Sequence, residues 1–125
     1  MCFGSYGIHP HEAKNHQSIK TEDIIKKTKL NKKIIGIGES GLDFYYNHSD
    51  KKDQIKCFEE HIAAAQITQL PLIVHTRDAE AETVEILKNK LNIKDFIQSF
   101  SSGVLFHGVY LGGVFFSISK GIPTG

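Results

Sequence analysis

A chain of 125 residues can bury one real hydrophobic core but is short for a closed β/α barrel, which typically takes about 250 residues. Its 40% hydrophobic and 23% charged content excludes a disordered chain. The net charge of +1 offers no basic stripe for nucleic acid on composition alone, and no run reaches the ~18 apolar residues of a membrane span.

The first residues, MCFGSYGIHPHEAKN, lack the basic region and apolar core of a signal peptide, so cytoplasm is the expected compartment. Cys2 and Cys57 have no paired spacing and make neither a zinc motif nor a disulfide framework. Residues 2–8 read as a short strand. His9-Pro10-His11 then reads as a loop, because Pro10 biases His9 away from helix. A modest helix is expected over 22–30, with Ile24, Ile25 and Leu30 apolar, Thr21 as N-cap and lysines on a solvated face.

The centre of the chain is Ile34-Ile35-Gly36-Ile37-Gly38-Glu39-Ser40-Gly41-Leu42-Asp43. An apolar run gives way to a carboxylate, the pattern of a parallel strand buried on both faces. Phe44-Tyr45-Tyr46 follows as an aromatic patch, readable either as core packing or as a platform for stacked bases. Ser49 is expected to cap a helix over about 51–66, whose apolar face carries Ile55, Phe58, Ile62 and Ala65; Cys57 reads as a small core residue. Leu70 to Asp78 repeats the earlier grammar: an apolar strand, then His75, Arg77 and Asp78 as it runs out. A helix from about 79 to 91 should bury Val84, Leu87 and Leu91. Two further strands are expected at 96–100 and 113–119, around a glycine-rich segment containing His107. Strands alternating with helices of this length indicate parallel βαβ units.

Glu39 and His75 thus hold equivalent places at the ends of two successive strands. In a β/α barrel those places open onto the active-site face, where a carboxylate and an imidazole suit a divalent metal. Taken alone, Glu39 could be a buried ion-pair partner or a helix N-terminal acid, and His75 a strand-terminal histidine bonded to backbone. His16, His48, His61 and His107 read as ordinary structural residues.

GESGLDFYY at 38–46, LPLIVHTRDA at 70–79 and GIHPH at 7–11 together resemble the TatD family of metal-dependent hydrolases and deoxyribonucleases, in the family's order. The resemblance implies an α/β chain forming a partial TIM-like (β/α) barrel of about five parallel strands. It covers about the middle half of such a barrel. Residues 1–125 are therefore expected to form a single incomplete domain, lacking the first strand with its His-x-His pair and the late strand with its Asp. It implies two divalent metals per complete site, with Mg, Mn or Zn suitable, and DNA phosphodiesters as substrate; protein partners are not implied. Glu39 and His75 become metal ligands and the catalytic pair. His9 falls at a substrate-contacting position or structures its loop. Arg77 neutralises a phosphate oxygen or pairs with Asp78 or a neighbouring acid. Gln98 stands where the family has a histidine, and a neutral amide is a poor ligand for a transition metal. The rival expectation is a catalytically inactive remnant of such an enzyme, or a non-catalytic interaction module.

Overall fold

The computed structural model describes residues 4–45, 48–91, 109–111 and 114–120. The expectations placed on Cys2, Tyr46, His107 and Gln98, with its strand at 96–100, lie outside the described residues.

Strand β1 (Gly4–Tyr6) leads through a short 3-10 segment (Pro10–Asn15) to helix α1 (Thr21–Leu30). Strand β2 (Ile34–Asp43), helix α2 (Lys51–Thr68), strand β3 (Leu72–Arg77) and helix α3 (Glu80–Leu91) follow, then strands β4 (Val109–Leu111) and β5 (Val114–Lys120). Among the described residues, one sheet holds five strands in the order β1-β2-β3-β5-β4. The pairs β1–β2, β2–β3 and β3–β5 are parallel, as the βα alternation requires. The expected strand at 113–119 is β5, beside β3. β4 falls in the glycine-rich segment, where no strand is expected, and it departs from the all-parallel expectation by pairing antiparallel with β5. Only two residues separate them in sequence, a connection far too short for a parallel crossover.

The core lies between the sheet and its helices. Phe58, Ile62, Ala64 and Ala65 of α2 pack with Ile37, Leu42, Leu72 and Val74 of the sheet, all fully buried. In β3, burial alternates with the strand's period of two. Leu72, Val74 and Thr76 face the helices, while Ile73, His75 and Arg77 take the opposite, less buried face. In a β/α barrel that second face is the interior. In α3, Leu87 and Thr83 are buried and Val84 is half-buried.

Two caps differ from expectation. Thr21 is the first residue of α1 rather than its cap; Lys20 is, and its N–H donates to the Asp23 carboxylate at 2.9 Å. The Thr21 N–H and hydroxyl instead donate to the Glu60 carboxylate of α2, the N–H at 2.7 Å. Ser49 precedes the α2 cap, Asp50. Its hydroxyl accepts the Lys14 N–H and donates to the His11 carbonyl, both at 2.9 Å, tying the 3-10 segment to this loop. Both changes have one cause: each hydroxyl meets a partner some 35 to 40 residues away that local pattern does not reveal.

Candidate metal centre

Glu39 and His75 come together at the same end of the sheet. His75 Nδ1 lies 3.7 Å from Glu39 Oε1, and His9 Nε2 lies 3.5 Å from the same oxygen. The ligand-capable atoms of His9, Glu39 and His75 all fall within 4.8 Å of one another. With bonds of 2.0–2.1 Å, two ligand atoms on a tetrahedral zinc stand roughly 3.3–3.4 Å apart. The two separations from Glu39 Oε1, 3.5 and 3.7 Å, are close to that edge.

The backbone around Glu39 is irregular. The β2–β3 register shifts between Ile37 and Ser40, then resumes with Gly41 opposite His75. Gly41 has φ +139°, and a Cβ there would sit 2.1 Å from the His75 carbonyl oxygen. Only glycine lets the two strands close at the point where they carry the site.

Hydrogen bonds decide which nitrogen of each imidazole is available. His75 Nε2 lies 3.0 Å from Asp43 Oδ2, and a carboxylate oxygen accepts, so Nε2 carries the proton. Nδ1, toward Glu39, then keeps its lone pair, as a metal ligand needs. His9 has the opposite arrangement. Its Nδ1 accepts the His11 backbone N–H at 3.2 Å, capping the 3-10 segment, so the neutral ring carries its proton on Nε2. His9 thus presents a donor to Glu39 and to whatever binds there. Glu39 Oε1 and His75 Nδ1 could thus hold a metal ion, while His9 offers a hydrogen-bond donor. Burial, with His75 and His11 nearby, holds the His9 pKa below the usual histidine value, against the opposing pull of Glu39 and Asp43.

The site rests on a polar frame that pattern reading missed. Asp43, the last residue of β2, is buried with its side chain 2% exposed. Its Oδ2 also accepts from His11 Nε2 at 3.0 Å, and its Oδ1 accepts the Tyr45 N–H at 3.1 Å. Gln54, fully buried in the first turn of α2, fixes the Asp43 backbone. Its Oε1 accepts the Asp43 N–H at 2.8 Å, and its Nε2 donates to the carbonyls of Asp43 and Ser49. On the same helix, His61 Nε2 accepts the Ile8 N–H at 2.9 Å, and its Nδ1 donates to the Cys57 carbonyl at 2.7 Å. His61 is therefore structural, as expected, and it secures the residue before His9.

Arg77 lies with its guanidinium 4.0 Å from the ring centre of Tyr45, which is half exposed. Of the aromatic patch, Phe44 packs against the core, while Tyr45 is half exposed with Arg77 over its ring. His48 stacks edge-on against His11, with ring centres 4.5 Å apart. Among the described residues, no helix is long and apolar enough to cross a membrane.

The family model for TatD-related DNases matches residues 1–124. An uncharacterized metal-dependent hydrolase from Buchnera aphidicola subsp. Baizongia pistaciae is 34% identical over 122 residues, covering 96% of this chain and 45% of the relative. A protein named 3'-5' ssDNA/RNA exonuclease TatD, from Citrobacter koseri, is 36% identical over 87 residues, covering 70% of this chain and 33% of that one. The chain thus spans less than half the length of these relatives. Among solved structures, the TatD homologue YJJV from Escherichia coli K12 superposes with a TM-score of 0.60 at 23% identity, over 70% of this chain and 34% of that one. An uncharacterized amidohydrolase from Saccharomyces cerevisiae gives 0.57 at 21% identity, over 98% and 42%. These two likenesses bear on the fold.

Proposed function

The chain belongs to the TatD-related DNase family of metal-dependent hydrolases, and from that premise we propose that its Glu39–His75 site holds a divalent cation for cleavage of DNA phosphodiesters. The observation that carries this reading is the pairing of Glu39 Oε1 with the unprotonated Nδ1 of His75 at 3.7 Å. A carboxylate and an imidazole suit Zn or Mn, and the carboxylate alone suits Mg. When bound, one or two such cations supply Lewis-acid polarisation of a phosphoryl oxygen and activation of water.

The chain's own groups take the remaining roles. Glu39 and His75 fix the cation's place. His9 Nε2–H donates to an oxygen of the substrate across the site. Arg77 offers its planar fork to a non-bridging phosphate oxygen, with Tyr45 beside it as a surface for a base. The ssDNA/RNA exonuclease named among the relatives supports a nucleic-acid substrate.

Calorimetric titration with Zn or Mn should show saturable but weak binding, lost in both Glu39→Gln and His75→Ala. Cleavage of an end-labelled single-stranded oligonucleotide should need the added metal and disappear in the same variants. Binding or cleavage unchanged in both would overturn the assignment. Gln98, in place of the family's histidine, favours a second reading, a non-catalytic remnant. Metal binding without cleavage, with cleavage appearing in Gln98→His, would identify that remnant.

A further inference from the structure

The most buried acid of the site is not part of the His9–Glu39–His75 cluster. Asp43 lies behind them, and its Oδ2 meets two imidazoles from different elements, His75 Nε2 from β3 and His11 Nε2 from the 3-10 segment, each at 3.0 Å. The backbone N–H of Tyr45 reaches its other oxygen. Three donors converge on a group that, when ionised, only accepts.

We infer that Asp43 is the positioning residue of this centre: it holds the protons of His75 and His11 on Nε2, and so makes His75 a ligand through Nδ1. A neutral imidazole carries one proton, and its place is set by the bond the other nitrogen makes. With Nε2–H donated to Asp43, the His75 lone pair faces Glu39 Oε1. Without that acceptor, nothing observed at Nε2 would keep the proton there, and a proton on Nδ1 would leave no lone pair facing Glu39. The same carboxylate joins the end of β2 to β3 and to the segment beginning beside His9. Gln54 holds the Asp43 backbone rigid, so the acceptor cannot drift from its two donors. Carboxylates behind ligating histidines commonly raise metal affinity 10–100-fold. This inference rests on the metal reading above for its consequence, but not for its test.

The test is the tautomeric state of the ring nitrogens in the metal-free 125-residue chain, labelled with 15N-histidine and read by two-bond 1H–15N correlation near pH 8. The expected result is His75 and His11 both protonated on Nε2. In Asp43→Ala the Nδ1–H form should become populated at His75, and Zn affinity should fall at least tenfold. Asp43→Asn, which keeps one acceptor oxygen, should fall between the two. His75 protonated on Nδ1 in the unsubstituted chain would overturn the inference, as would ring signals unchanged in both variants. If Asp43→Ala fails to fold, the unsubstituted chain and Asp43→Asn still decide. If the chain binds no metal, the proposed function fails while the tautomers continue to decide the role of Asp43.

Discussion

His61 Nε2 accepts the backbone N–H of Ile8 at 2.9 Å, joining residues 53 apart in sequence at the point where the chain enters the site. The ring is fully buried, and burial lowers its pKa to about 4 from 6.5. The unfolded chain therefore binds more protons at His61 between those values, and stability falls as pH drops from 6.5 toward 4. The full difference corresponds to about 3 kcal/mol at 1.36 kcal/mol per pH unit. Glutamine offers an acceptor oxygen but no titrating group. Urea unfolding at pH 7 and pH 4 should therefore show a smaller loss in His61→Gln than in the unsubstituted chain. Equal losses would show that His61 is not held neutral in the fold.

Gln54 makes three hydrogen bonds from a fully buried position, two of them to the backbone of Asp43. Gln54→Leu should cost about 3 kcal/mol, since each unsatisfied buried backbone group costs about 1–3 kcal/mol. Gln54→Glu keeps the acceptor for the Asp43 N–H but loses the donor, so it should not restore stability. Denaturant midpoints for the two variants check this, and a stable Gln54→Leu chain would contradict it.

Gly41→Ala should be among the most damaging small substitutions. A Cβ would meet the His75 backbone oxygen at 2.1 Å, and φ +139° is unfavourable for any other residue. The backbone strain alone is of order 1–3 kcal/mol. The strands must also part beside His75, so metal affinity should fall together with the thermal midpoint. Loss of neither would refute the close approach of the two strands.

The Glu60 carboxylate receives the first N–H of α1 at 2.7 Å together with the Thr21 hydroxyl. It caps one helix from another. Glu60→Ala should destabilise by about 1–2 kcal/mol, the usual cost of a lost cap, and Glu60→Gln should recover much of it because an acceptor oxygen remains. A thermal scan of both variants measures the difference. A Glu60→Ala chain as stable as the unsubstituted one would show that α1 does not depend on this contact.

Two polar residues of the frame behind the site carry a signal in the sequence. Gln54 and His61 fall on the α2 face that also carries Phe58, Ile62 and Ala65. A polar residue on an apolar helix face must find a buried partner, and that is the signal by which both could have been singled out. Asp43 ends the same strand as Glu39, yet its importance depends on two histidines each 32 residues away.

The sequence by itself determined the alternation of strands and helices, the buried face of α2 and the arrival of Glu39 and His75 at one end of the sheet. Those features follow from local periodicity and from the rule that parallel strands end on one side. The tertiary structure alone decided that the Thr21 N–H and hydroxyl go to Glu60 of α2, and that Ser49 ties down the 3-10 segment. It also decided that His9 presents a donor while His75 presents a lone pair. The physical reason is common to all of these. A hydrogen bond between residues distant in sequence leaves no period behind, and the protonated nitrogen of an imidazole depends on what the fold brings to its other side.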